Sequence, residues 1–214
     1  MTEHANILGS ERFVVAVQTS DCRPIRITNY PPVGRRPEKF TILQAVRATS
    51  AASSIFEPLI METDGIRESF CDGALGYNNP INEVIAECND LWPVRDIGCL
   101  VSIGTGRKKT TKVGRTLSSV AKACAAIATD GDETAHKFLN DISQHRRDLV
   151  DVYFRFTVQS GLEDRTLDET RELGLIKQRT QSYVREEKRE DVRRCADVLK
   201  TATMTPAGMK FCSE

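Results

Sequence analysis

The sequence predicts an α/β fold, and three observations carry that expectation. Short apolar runs at residues 13–17 and 97–103 have the length and composition of buried strands. Residues 41–52 and 79–88 carry helix start signals and apolar residues at helical spacing. The two kinds of segment alternate along the chain, which argues for a sheet covered by helices rather than separate all-α or all-β domains.

Each element has its own reason. Phe13-Val14-Val15-Ala16-Val17 is short and apolar throughout, so it reads as a buried strand. In residues 24–30, Ile25 and Ile27 alternate with Arg26 and Thr28, the pattern of a half-exposed strand. Pro31-Pro32-Val33-Gly34-Arg35-Arg36-Pro37 is a loop by composition. Thr41 and Gln44 have the spacing of a capping box, so a helix is expected from Thr41 to about Ala52. Residues 67–71 read as a strand that delivers Asp72. Asn79 is a good N-cap, and Pro80 suits the first helical position, where its missing N–H costs nothing. Ile81, Val84, Ile85 and Cys88 then share one helical face, and Trp92 reads as a helix-end core residue.

The second half is richer in helix. Residues 117–128 are Ala-rich, with good helix propensity. Residues 130–151 read as a helix with Phe138, Leu139, Ile142 and Leu149 on its apolar side. Residues 152–158 alternate Tyr153, Arg155 and Thr157 against Val152, Phe154, Phe156 and Val158, a strand pattern. Residues 168–201 are highly charged and read as two surface helices, and residues 205–214 as a frayed terminus.

Composition narrows the function classes. With 214 residues the chain is long enough for one sizeable domain with a real core. Thirty basic and thirty acidic residues cancel, so no overall field draws it to nucleic acid or to an acidic membrane. The cysteines are odd in number, seven, and scattered without a C-x-x-C pair. That argues against a disulfide framework or a zinc site, and for a reducing, cytoplasmic compartment. Residues 1–10 lack the apolar stretch of a secretory signal, and no apolar run approaches the ~20 residues of a membrane helix. The expectation is a soluble protein, at most peripheral to a membrane.

The most informative stretch is Phe70-Cys71-Asp72-Gly73-Ala74-Leu75-Gly76-Tyr77-Asn78-Asn79-Pro80. It sets a carboxylate at a strand end, then two residues with little or no side chain, then a helix start. By itself Asp-Gly is an ordinary turn signal. Two further segments flank it, Ala45-Val46-Arg47-Ala48-Thr49-Ser50-Ala51-Ala52 with Phe56-Glu57-Pro58, and Leu100-Val101-Ser102-Ile103-Gly104-Thr105-Gly106. In this order and spacing the three resemble the patatin-like phospholipases.

The resemblance implies a three-layer α/β sandwich with a mostly parallel sheet, of which residues 12–186 form the C-terminal part, followed by a charged helical tail over 187–214. It implies hydrolysis of lipid acyl esters by a Ser–Asp dyad, with no metal and no organic cofactor. Asp72 takes the place of the base, Gly73 and Ala74 make room beside it, and Asn78 and Asn79 support the pocket. Capping and turn formation explain the two asparagines equally well.

The family's nucleophile elbow, G-x-S-x-G, is not in this chain. No serine has Gly at both the second position before it and the second after it, and Ser102 is preceded at that spacing by Leu100. The glycine-rich oxyanion loop is absent too. In relatives both lie well N-terminal to the Asp, so the fold is expected to be incomplete at its N-terminus and the chain alone inactive. Two other readings stay open: a non-catalytic lipid- or protein-binding remnant, and an unrelated Ser-His-Asp hydrolase using His136 or His145. Both histidines sit in charged helical sequence, where a solvent-facing position is the simpler expectation. Gly104-Thr105-Gly106-Arg107-Lys108-Lys109 lacks the Walker spacing and reads as a tight turn before a basic run rather than a phosphate cradle.

Overall fold

A computed structural model of the chain describes residues 11–35, 39–52, 55–63, 65–107, 116–162 and 172–204. The expectations for residues 1–10, 36–37, 108–109, 168–171 and 205–214 lie outside the described residues. The chain forms two compact units, residues 1–94 with 112–131, and residues 95–111 with 132–214.

The first unit is built on a four-stranded sheet in the order β2-β1-β4-β3. Strand β1 is Phe13–Gln18, β2 is Pro24–Thr28, β3 is Leu59–Thr63 and β4 is Ile66–Asp72. All three pairings are antiparallel. The expected mostly parallel sheet is therefore corrected to a mixed arrangement among the described residues, with one parallel pair in the second unit. The reason is connection length. A parallel pair needs a crossover of a dozen or more residues, whereas β1–β2 and β3–β4 are joined by short turns. Strand β3 was not foreseen, although Asp64-Gly65 between alternating runs is a strong hairpin signal, and Gly65 has φ +78°.

Helix α1, Ile42–Thr49, starts on the expected capping box: Thr41 Oγ1 accepts from Gln44 N–H, and Gln44 Oε1 accepts from Thr41 N–H. It stops three residues before Ala52. Ser50 Oγ donates to the Val46 carbonyl at 2.6 Å, and the Ala51 carbonyl is taken by Asp72 N–H at 3.0 Å, so neither continues the helix. Its inner face carries Ala45 and Ala48 against Ala16, Ile27 and Phe70, with Phe40 edge-on to Phe70 at 5.2 Å between ring centroids. Its outer face exposes Ile42, Leu43 and Val46.

A distorted turn, α2 (Ala74–Tyr77), leads into α3, Ile81–Leu91. The start of α3 lies one residue later than expected, with Pro80 at the cap, and Asn79 is buried rather than capping. Ile81 is buried, Val84, Ile85 and Cys88 are half-buried, and Trp92 is half-buried at the helix end. Helix α4 runs over Leu117–Ala128 as expected.

Helix α3 also buries Glu87, which sequence periodicity did not single out. Its carboxylate accepts from Tyr30 Oη at 2.9 Å and pairs with Arg26 at 3.0 Å and Arg35 at 2.5 Å. Arg26 lies on β2 on the sheet face opposite Ile25 and Ile27, so this cluster ties α3 to that face. A buried charge persists when it is paired and hydrogen-bonded, and here all three partners converge on it.

The second unit contains the parallel pair β5 (Leu100–Ile103) and β6 (Tyr153–Phe156). The expected helix over 130–151 divides into α5 (Gly131–His145) and α6 (Arg147–Val150), because Arg146 leaves helical backbone at φ −139°, ψ 63°. Phe138, Ile142 and Leu149 are buried as expected, while Leu139 is exposed. Phe138 packs edge-on to Tyr153 at 5.0 Å. The charged C-terminal region forms α7 (Leu173–Ser182), a π-helical turn (Tyr183–Glu187) and α8 (Arg189–Met204).

Replacing Glu87 with Ala leaves Arg26, Arg35 and Tyr30 without their shared acceptor. Breaking a buried ion pair costs ~3 kcal/mol or somewhat less here, because both arginines keep some water. Urea denaturation of Glu87→Ala against wild type measures it. Burial and the Glu87 carboxylate also push the Tyr30 phenol well above its usual range. Its stabilising effect is present in full below the unfolded pKa of about 10 and is lost as pH rises beyond that. Tyr30→Phe is expected to remove that alkaline slope, read from melting curves between neutral and alkaline pH.

Candidate functional site

Asp72 is the last residue of β4 and pairs across the sheet with Ala16 of β1. Its backbone N–H donates to the Ala51 carbonyl at 3.0 Å. Its Oδ1 accepts from Ala74 N–H at 2.8 Å. The carboxylate is half-buried, and Oδ2 takes no hydrogen bond from the described residues. The side chain is thus anchored through one of its two oxygens.

Gly73 is the residue that cannot be anything else. A Cβ built there overlaps the Val15 carbonyl oxygen. The space left by Gly73 is filled by the β1 backbone. The same Val15 carbonyl accepts Thr49 Oγ1 at 2.6 Å. The segment Arg47-Ala48-Thr49-Ser50-Ala51-Ala52 therefore braces the aspartate turn: Thr49 reaches Val15, Ala51 holds Asp72, and Ala48 and Ala51 are fully buried. The sequence placed these residues near the site by resemblance, and the structure supplies their physical task.

Asn78 and Asn79 have internal partners. Asn78 Nδ2 donates to the Thr129 carbonyl at 3.0 Å, and Asn79 Nδ2 to the Gly131 carbonyl at 3.1 Å. Asn78 ties the turn after Asp72 to the C-cap of α4, where carbonyls lack helical partners, and Asn79 ties it to the first residue of α5. Cys71, beside Asp72, is buried. Burial pushes its thiol up, and the neighbouring Cys22 and Asp72 side chains add to the shift.

The other candidates are elsewhere. Ser102 is buried on β5, and its Oγ accepts from Arg155 Nη1 at 2.8 Å, while Arg155 Nη2 pairs with Asp132 at 3.0 Å. This Ser102–Arg155–Asp132 cluster was not foreseen; the alternation that put Arg155 in a strand was its only signal. A Cβ on Gly104 meets Arg155 and Thr157, so that glycine serves packing. The N–H groups of Gly104 and Arg107 go to the Phe156 and Val158 carbonyls, which favours the turn reading of this run over a phosphate cradle. His136 is exposed on α5, and His145, also exposed, bonds Asp141 one turn earlier at 3.1 Å. Among the described residues no group of three or more His, Cys, Asp and Glu side chains is placed to hold a metal ion.

No protein-family model matches the chain. Individual relatives do. It is 32% identical to mouse calcium-independent phospholipase A2-gamma over 138 residues, which is 63% of this chain and 16% of that protein. It is 30% identical to patatin-like phospholipase 1 of Plasmodium falciparum over 140 residues, 60% of this chain and 20% of that protein. The chain is a relative of the patatin-like phospholipases. A plant member of the comparison, phospholipase A I of Arabidopsis thaliana, is 42% identical over 72 residues, 34% of this chain and 5% of its own length. The chain thus spans about a sixth of the length of the mammalian relative.

Two substitutions separate the backbone constraint at Gly73 from the side-chain anchor at Asp72. Gly73→Ala forces the β1 and β4 backbones apart and is expected to cost roughly 3 kcal/mol or more, beyond ordinary overpacking because the clash is with backbone. Asp72→Asn keeps an acceptor for Ala74 N–H, so its cost should stay within about 1 kcal/mol. Chemical denaturation of both variants checks the order; equal losses would contradict the assignment of the strain to Gly73.

Proposed function

We propose that this chain supplies the aspartate-bearing part of a lipid acyl hydrolase, with Asp72 as the base of a Ser–Asp dyad. The observation that carries the reading is the state of the Asp72 carboxylate: fixed to backbone through Oδ1, half-buried, and unbonded at Oδ2 among the described residues. A serine hydroxyl is a weak nucleophile until a positioned base accepts its proton. In the proposed reaction the serine attacks the ester carbonyl as Asp72 takes its proton, and Asp72 passes that proton to the departing alcohol, leaving an acyl-serine and a carboxylate again. Water then attacks the acyl-serine as Asp72 takes its proton, and that proton returns to the serine oxygen as the fatty acid leaves. Gly73 holds the turn and Ala74 the carboxylate; Asn78 and Asn79 support that turn from behind.

The relatives named above, phospholipases all, support a phospholipid or other acyl-lipid substrate. Helices α1 and α3 engage opposite faces of the antiparallel sheet, which supports the three-layer sandwich. A cytoplasmic setting and peripheral contact with a membrane belong to the same reading; six described cysteines are free thiols.

A second reading has one observation in its favour. The chain contains no G-x-S-x-G, so by itself it binds lipid or a partner without turning over ester. A histidine triad has less support, since His145 is engaged by Asp141 and His136 is exposed.

Residues 1–214 alone are expected to leave a short-chain p-nitrophenyl ester unhydrolysed; turnover together with fluorophosphonate labelling of a serine in this chain would overturn that. Joined to an upstream segment bearing the glycine-rich loop and the serine elbow, the chain is expected to hydrolyse acyl esters. In that protein Asp72→Asn should lower kcat by on the order of 10⁴-fold. His136→Ala and His145→Ala should leave it nearly unchanged. A folded histidine variant that falls as far as Asp72→Asn would remove the dyad.

A further inference from the structure

Charge cancels over the chain as a whole but not along it. From Gly98 to Thr129 there is no Asp or Glu, while Arg107, Lys108, Lys109, Lys112, Arg115 and Lys122 are basic. All thirty acidic residues lie outside that stretch, and the basic run leads in sequence directly into α4. Helix α4 also distributes its apolar residues in reverse. A surface helix ordinarily buries its large apolar residues and turns small or polar ones to water. Here Ala123 is buried, and Ser119 and Ala126 are half-buried, so the inner stripe is small. Leu117, Val120, Cys124 and Ile127 follow at steps of three, four and three residues, the spacing of one helical face, and all four are exposed. Leu117 is 86% exposed and Ile127 68%. The helix is tied to the aspartate turn as well: Thr129, its C-cap, gives its carbonyl to Asn78, the residue that closes α2.

We propose that α4 is a lipid-docking helix, which lays its Leu117–Val120–Cys124–Ile127 face on an anionic bilayer surface. The inference rests on the acyl-lipid reading above for its choice of surface. Two observations select that occupant. Large apolar side chains that project into water gain most where an apolar phase is offered, and the acyl region of a bilayer offers one while a nucleic acid does not. The run of cations without an acid complements anionic lipid, and each Lys or Arg near such a surface adds about fivefold to binding.

The two signals act together. A short apolar stripe alone binds a bilayer weakly, and a basic segment alone is held only by a field that salt screens. At 1.5 Å per residue α4 is roughly 18 Å long, so it lies in the plane of the headgroups. Among the described residues no helix is long and apolar enough to cross a membrane. Because Asn78 ties the C-cap of α4 to the turn after Asp72, docking of this helix holds the aspartate turn at the lipid surface.

The test uses residues 1–214 and vesicles, with no hydrolysis to read. The chain is centrifuged with vesicles of phosphatidylcholine alone, and with vesicles in which about one-third of the lipid is phosphatidylserine. Wild type is expected to co-sediment with the second at about a tenth or less of the lipid that the first requires. Raising salt from about 0.1 M to about 1 M shortens the screening length from about 10 Å to about 3 Å and should weaken that binding several-fold. The double variant Leu117→Ser, Ile127→Ser, checked for folding by circular dichroism, should need about tenfold or more lipid for half-binding, because two large apolar groups no longer leave water. Ile42→Ser with Leu43→Ser, on the exposed face of α1, should bind as wild type does. Equal binding to both vesicles, full binding by the α4 variant, or loss in the α1 variant instead would overturn the docking. So would a dimer in sedimentation velocity that the α4 variant dissolves, which assigns the face to a second copy. If the α4 variant misfolds, hydrogen exchange of wild type decides: exchange slowed in α4 by the anionic vesicles supports the docking, and unchanged exchange there overturns it. Failure of vesicle binding leaves the dyad standing if the joined protein hydrolyses its ester through Asp72, and failure of the dyad leaves vesicle binding in place.

Discussion

The aspartate turn depends on one close approach, the seat of Gly73 on the carbonyl of Val15. Strand β1 lies between β2 and β4, so its backbone is the fixed reference of the first unit. A single oxygen on that backbone receives Thr49 from α1 and leaves no volume for a side chain after Asp72. The consequence runs both ways. The helix must end where Thr49 can reach the sheet, and the strand must turn where only glycine fits. The small residues Ala45, Ala48 and Ala51 follow from the same demand, since a bulky inner face on α1 would lift Thr49 away from Val15.

The opposite face of the sheet is held by charge rather than by close packing. The buried Glu87 carboxylate gathers two half-buried guanidinium groups and a phenol, and Arg26 extends the network to Glu83 and Asp90. Such a cluster adds little net stability against an apolar equivalent, but breaking it is costly, so it acts as a registry device. It fixes α3 relative to β2, and α3 begins where the aspartate turn ends. The two faces thus hold the same turn from either side, one by packing and one by ion pairs.

How much of this was legible follows from what each signal encodes. Capping chemistry is local, so Thr41 and Gln44 gave the start of α1 and the Ala-rich run gave α4. The end of α1 was not local: it is set by Asp72 N–H, more than twenty positions away in sequence. Asn79 has the chemistry of a cap and was read as one, yet its amide is spent on the Gly131 carbonyl, a tertiary contact no window around residue 79 contains. The parallel sheet came with the resemblance and not from the residues. The Asp64-Gly65 dipeptide was the local signal for an antiparallel pair there, and it was passed over. Glu87 was invisible because a charged residue among apolar ones at helical spacing looks like the wet side of the helix until its arginine partners are placed. The turn was legible as a motif, and its reasons were not: resemblance pointed to Asp72, Gly73 and the segment from Arg47 to Ala52 together, while the Val15 carbonyl that Thr49 bonds and Gly73 abuts has no side chain to betray it.

A short base makes the strictest demand on its scaffold. A histidine reaches several ångströms from its backbone and swings about two torsions; an aspartate carboxylate stands one carbon from its Cα. Any proton it takes must come to it, and effective transfer needs heavy atoms within hydrogen-bond distance. For Asp72 the backbone is accordingly fixed by the β1 ladder on one side and the Ala51 carbonyl on the other, and the remaining torsion is set by Ala74 N–H. An Asp-Gly turn in an ordinary loop would not need that bracing. The density of constraint around a half-exposed carboxylate is what separates this turn from the many that share its two letters, and in the proposed reading it takes over the orienting task that a third group performs in a histidine triad.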